Sequence, residues 1–118
     1  MRRAVMVILD GLRRDFLDEA RTPHLVRLFE TATRFSAYRS AFPSATRVVS
    51  ATFATGCFPA RHSLHGNAMA LVEDGVLVPR DVGRPDFMDH KRRVQGHALA
   101  VPTLAQRLAG QGGAVVFN

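Results

Sequence analysis

Three positions in this 118-residue sequence join a reactive residue type to a setting that can use it. Asp10 follows the apolar run Ala4-Val5-Met6-Val7-Ile8-Leu9 and precedes Gly11. A carboxylate at the carboxyl end of a buried strand is placed to hold a metal ion, with glycine leaving room for close approach. The plain alternative is an aspartate that merely ends the strand. Thr46 closes the segment Pro43-Ser44-Ala45-Thr46, at an expected loop-to-helix junction. A hydroxyl there meets the N–H groups of a helix N-terminus, which favour a bound phosphate. Simple capping by Ser44 or Thr46 is the commoner use of such residues. Asn67 can donate an amide N–H to an oxyanion, although Gly66-Asn67 is also an ordinary turn pair.

Elements that could position these residues follow from the apolar pattern. The unbroken run over 4–9 predicts a strand covered on both faces, as in a parallel sheet. Thr22-Pro23 reads as a cap followed by proline at the first helical position, with Leu25, Leu28, Phe29 and Ala32 at helical spacing. A second strand is expected over 35–42. Val48, Val49, Ala51, Thr52 and Phe53 then fit a buried helix stopped by Gly56, and 57–68 reads as loop. Residues 69–72 and 76–78 flank Glu73-Asp74-Gly75 as a hairpin. The polar stretch 79–97 is expected to be an irregular surface excursion, 102–108 a helix and 114–117 a last strand. Alternating strands and helices predict an α/β three-layer sandwich with a mainly parallel sheet. Because the chain stops directly after a strand, the expectation is the N-terminal part of a single larger domain, incomplete at its C-terminus.

Composition narrows the function classes. With 47% hydrophobic and 22% charged residues the chain is ordinary globular protein. No apolar run approaches the roughly 20 residues that cross a bilayer, so no membrane partner is expected. Arg2 and Arg3 before an apolar stretch imitate a secretory leader, but the stretch is short and Asp10 ends it. A single cysteine, Cys57, allows no internal disulfide and suits a reducing cytoplasm. The net charge of +6 comes from scattered arginines, with Lys91 the only lysine. Without tryptophan or interleaved aromatics, a nucleic-acid polymer is not the favoured partner.

In order and spacing these pieces resemble one family. Val7-Ile8-Leu9-Asp10-Gly11-Leu12-Arg13, Thr22-Pro23-His24-Leu25, Phe42-Pro43-Ser44-Ala45-Thr46, and Ala54-Thr55-Gly56 with Pro59, His62 and Asn67 look like type I phosphodiesterase/nucleotide pyrophosphatase. That family belongs to the alkaline phosphatase superfamily. The resemblance is strong over 4–67 and rests beyond that on the α/β pattern alone. It implies a hydrolase of phosphodiester or nucleotide pyrophosphate bonds, acting on a small phosphodiester or nucleotide. It further implies two divalent metal ions, usually zinc, with Asp10 a ligand of one. Thr46 would be the nucleophile, its alkoxide on that same ion, and Asn67 would hold a phosphoryl oxygen. Metal coordination is one way to activate a threonine hydroxyl, and amide donors suit the developing charge.

Departures from the family set the alternatives. Ser63 follows His62 where members often carry glycine. The family also takes its remaining Asp and His ligands from further downstream, so these residues alone are not expected to catalyse efficiently. The rival reading is therefore a truncated, non-catalytic domain that binds an anion or a partner. Cys57-Phe58-Pro59-Ala60-Arg61 matches a sulfatase pattern, and a sulfatase or phosphonate hydrolase relative is a further alternative. Position opposes it: Thr46, not Cys57, lies nine residues before Thr55 of the Thr55-Gly56 pair. Cys57 is then a packed thiol. His62 and His65, three apart, raise a zinc idea that no third ligand supports, and a loop-structuring role is preferred. His90 and His97, with Lys91, Arg92 and Arg93, read as a solvated basic face.

Overall fold

An apolar run becomes a strand only where a neighbouring strand takes up its backbone hydrogen bonds. The computed structural model describes residues 3–115, and within it residues 4–9 have no such neighbour. They carry no regular secondary structure, and Val5 and Val7 are 88% and 72% exposed. The expected buried strand before Asp10 is thus corrected. Residues 35–42, also expected as a strand, are likewise irregular. The sheet formed by the described residues is one two-stranded antiparallel hairpin, so the fold on view is mixed helix and strand. A parallel three-layer sandwich is not shown by it.

Contacts divide the chain into two units, Met1–Arg39 and Ser40–Asn118. In the first, Leu12 N–H donates to Leu9 O at 3.4 Å, closing a turn with Gly11 at φ 74°. A left-handed residue at that third turn position is what glycine supplies without steric cost. A 3-10 turn, Arg14–Phe16, follows, and then helix α1, Pro23–Thr31. Proline at the start of α1 fits a position whose N–H has no partner inside the helix. The Thr22 hydroxyl does not cap α1. It donates instead to Phe16 O at 2.9 Å, tying the helix start to the 3-10 turn. Arg13 and Arg21 flank the Phe16 ring, their guanidinium carbons 5.1 and 5.4 Å from its centre.

The second unit holds the core. Helix α2, Thr46–Thr55, ends as expected at Gly56, whose φ of 67° lets its N–H reach back to Thr52 O. A short helix α3, Pro59–His62, occupies part of the expected loop. The hairpin pairs β1, Ala68–Glu73, with β2, Val76–Asp81, in a register that sets Glu73 opposite Val76. Asp74 and Gly75 at its tip have φ of 50° and 81°. Two positive angles in succession give the turn twist that matches paired strands. Side chains alternate along β1, with Met69 and Leu71 facing inward while Ala70 and Val72 are exposed.

Helix α4, Phe87–Gln95, replaces the irregular excursion expected over 79–97, and β2 itself runs on to Asp81. The helix was hidden because its buried face is thin and partly polar. Phe87 and Lys91, one turn apart, are 3% and 0% exposed, and Val94 continues the stripe. Ala51, Leu64, Leu71, Val82 and Phe87 make the core, with Met69, Met88, Val94 and Leu99 packed against it. Glu73, at the end of β1, accepts from Arg80 and from His90 Nε2 at 2.8 Å, joining the hairpin to α4. The Arg80 guanidinium first, and then His90, hold its carboxyl down at about 2. Helix α5, Leu104–Leu108, is closed by a capping box in which Thr103 and Gln106 exchange hydrogen bonds. Of the expected strand over 114–117, residues 114 and 115 are irregular, and Val116 and Phe117 lie outside the described residues. Among the described residues no helix is long and apolar enough to cross a membrane.

Placing the core on one face of the hairpin gives a direct test. Leu71→Ala, at a fully buried position, is expected to cost about 2–5 kcal/mol in urea unfolding. Leu77→Ala, on the partner strand but 68% exposed, should change stability by no more than about 0.5 kcal/mol. Equal losses would contradict the one-sided core.

Candidate functional site

Thr46 is the first residue of α2, as the sequence predicts, and it is exposed. The preceding N-cap is Ala45, which has no side-chain oxygen to cap the first-turn N–H groups. Ser44, the nearest other hydroxyl, is exposed and lies outside the helix. Asn67 directly precedes β1 and is also exposed.

Two hydrogen bonds bring the surroundings of Thr46 and Asn67 together. Arg47, the next residue of α2, donates from Nη2 to Gly83 O at 2.9 Å. Val82 N–H donates to Asn67 O at 2.8 Å. The bonds end on consecutive residues, whose Cα atoms stand about 3.8 Å apart across a trans peptide. The head of α2 and the start of β1 are therefore anchored to one corner, just after β2. Gly83 N–H donates to Asp81 Oδ1 at 2.7 Å, which shapes that corner. A Cβ on Gly83 would lie 3.0 Å from the same oxygen. Arg47 and Gly83 were not legible as site residues in the sequence, since one scattered arginine looks like another.

Beneath α2 lies a buried polar network. His62 is fully buried at the end of α3. Its Nδ1 accepts from Leu64 N–H at 3.2 Å, and its Nε2 lies 3.1 Å from Thr52 Oγ1. Thr52 spends its own hydroxyl proton on Val48 O at 3.0 Å. The imidazole is thus the Nε2–H tautomer, donating to Thr52. Burial foremost, then the charges of His65 and Lys91, lower its pKa below the ordinary 6.5. Both ring nitrogens of His62 are engaged in hydrogen bonds, so the ring ties α3 to α2 and to the turn that follows it.

Ser63 caps α3 at φ 63°, a left-handed conformation that glycine enters more easily than serine. The Ser63 hydroxyl accepts from Lys91 Nζ at 2.9 Å. Lys91, expected on a solvated basic face, is instead fully buried. The one sequence signal was its uniqueness among arginines, one helical turn after Phe87.

Asp10 belongs to the first unit, as an exposed residue in the Leu9–Leu12 turn; Thr46 and Asn67 belong to the second. Among the described residues no three His, Cys, Asp or Glu side chains gather to hold a metal ion. Asp10 and Thr46 are too few donors for a two-ion centre by themselves. Cys57 is a partly exposed free thiol beyond the C-terminus of α2. A ten-residue helix is about 15 Å long, so Cys57 and Thr46 sit at opposite ends of it.

A sequence model of the family described as type I phosphodiesterase / nucleotide pyrophosphatase matches residues 4–116. No curated protein and no solved structure matches the chain.

The buried imidazole makes stability depend on pH with a definite sign. Between pH 6.5 and the lower folded value the unfolded chain binds a proton that the folded chain does not. The His62 contribution is then complete above 6.5 and is lost as pH falls through that window. Glu73 acts lower, its contribution being lost between 4.5 and about 2. Thermal melts from pH 8 to 5 should show the wild type weakening below 6.5 relative to His62→Gln, which cannot titrate. Parallel curves would contradict the neutral, buried assignment.

Proposed function

Because the chain belongs to the type I phosphodiesterase/nucleotide pyrophosphatase family, a family of hydrolases, we propose that it cleaves phosphodiester or nucleotide pyrophosphate bonds with Thr46 as nucleophile. The observation that carries the assignment is the shared corner, which ties the residue after Thr46 and the backbone of Asn67 to Gly83 and Val82. A threonine heading an α-helix, with an amide donor anchored to the same corner, suits an anionic, phosphorus-centred substrate.

In the proposed reaction Thr46 Oγ1 attacks phosphorus, and the bond to the leaving alcohol or nucleotide oxygen breaks. That oxygen takes up a proton. Water then attacks the phosphothreonine, releasing a phosphomonoester and restoring the hydroxyl. Asn67 donates its amide N–H to a non-bridging oxygen as charge builds in both displacements. Two divalent ions, zinc in the first instance, are part of the proposal, with Asp10 and Thr46 as ligands from this chain. Such ions supply charge stabilisation and an activated oxygen when bound. The described residues do not complete the donor set of such ions.

The finer architecture, an alkaline-phosphatase-like three-layer α/β domain of which this is the N-terminal part, is proposed on the family alone. A cytoplasmic location is proposed from the single free thiol of Cys57.

The test uses the native protein with zinc and bis-p-nitrophenyl phosphate. Thr46→Ala should abolish turnover, and Asn67→Ala should lower it on the order of 10²-fold. Ser44→Ala should be nearly silent. Activity lost with Ser44→Ala and kept with Thr46→Ala would assign the wrong nucleophile. Phosphate binding without turnover in the wild type would instead favour a non-catalytic anion-binding domain.

A further inference from the structure

Lys91 is a fully buried cation with no carboxylate among its described partners. Its Nζ donates to Ser63 Oγ at 2.9 Å and approaches His97 O at 3.5 Å. Removing an ammonium from water is costly, and two neutral acceptors return only part of that cost. Burial accordingly pulls the amine below its ordinary value. A lysine on the apolar side of α4 therefore needs a reason beyond filling space, which methionine would do more cheaply.

The reason lies in what Ser63 does. Serine at φ 63° holds a conformation unfavourable to L-residues, and that turn directs the chain from His62 to Leu64. The turn geometry is what lets Leu64 N–H reach back to His62 Nδ1 at 3.2 Å. With Nδ1 held as acceptor, Nε2 must carry the proton and donate to Thr52 of α2. Of the titratable groups, Lys91 from α4 and His65 from the following loop act on the imidazole, and both oppose its protonation. From α2 it meets Thr52, and Ala100 N–H donates to its backbone carbonyl at 3.1 Å.

We propose that Lys91 is a positioning residue: by holding Ser63 in its left-handed turn it keeps His62 as the neutral donor to Thr52, and so fixes the helix that begins at Thr46. Its bearing on phosphoryl transfer rests on the function proposed above, whereas the coupling of Lys91, Ser63 and His62 does not.

The experiment follows the His62 imidazole by NMR and needs no turnover. In the wild type His62 should be the Nε2–H tautomer and titrate below 6.5. Lys91→Met should raise its titration midpoint, since a nearby positive charge is gone. It should also weaken protection of the Leu64 amide against hydrogen exchange. Lys91→Arg, which keeps the charge, should leave the midpoint closer to wild type. A midpoint unmoved by Lys91→Met would overturn the proposal, and loss of hydrolase activity for other reasons would not touch that readout.

Should Lys91→Met unfold the protein, Ser63→Gly provides the second arm. Glycine takes φ 63° freely, so the turn no longer needs the lysine. The double variant Ser63→Gly/Lys91→Met should then fold, and the loss of Tm from Lys91→Met should fall by half or more in the glycine background. Additive losses, or a double variant that stays unfolded, would show that Lys91 does not act through Ser63.

Discussion

Both nitrogens of the His62 imidazole are committed inside the second unit, one accepting from Leu64 and the other donating to Thr52. Its backbone carbonyl takes a third bond, from Ala100. One buried residue, through its ring and its backbone carbonyl, thereby connects α2, α3 and the segment leading to α5. A buried polar group is tolerable only when its bonds are made, so this ring admits few alternatives for its neighbours. The Lys91–Ser63 contact lies on the same network and approaches it from α4. What looks from the sequence like loop and solvated basic surface is the interior scaffold of the helix that carries Thr46.

The hairpin supplies the other fixed point. Leu71 and Val82 anchor it in the core, while Glu73 ties it to Arg80 and to His90 of α4. Just beyond β2, Val82 and Gly83 receive one bond each way, the first donating to Asn67 O and the second accepting from Arg47. The side chain of Arg47, next to the candidate nucleophile, and the backbone carbonyl of the candidate oxyanion donor are thus tied to the corner just after β2. Thr46 and Asn67 themselves remain exposed.

Local signals in the sequence were legible where the structure uses local rules. Pro23 opens α1, Gly56 ends α2, and Asp74-Gly75 turns the hairpin. Thr46 at a helix start was legible for the same reason. Signals that depend on distant partners misled. The run over 4–9 has the composition of a central strand, yet composition cannot supply the neighbouring strand that would pair with it. Helix α4 was hidden because a lysine occupies a core position, against the strong tendency of lysine to stay in water. Arg47 could not be singled out, since its role comes from a carbonyl 36 residues away. Family membership over residues 4–116 accords with the ordered motifs, which carry information that periodicity does not.

The proposed reaction passes through a covalent bond to the residue heading α2. Acid-quenching the native protein during turnover of a phosphodiester, followed by peptide mass spectrometry, tests it most directly. A phosphate on Thr46 is expected, accumulating with substrate and chased away by time. Phosphate on Ser44, or turnover under the same conditions with Thr46 never modified, would contradict it.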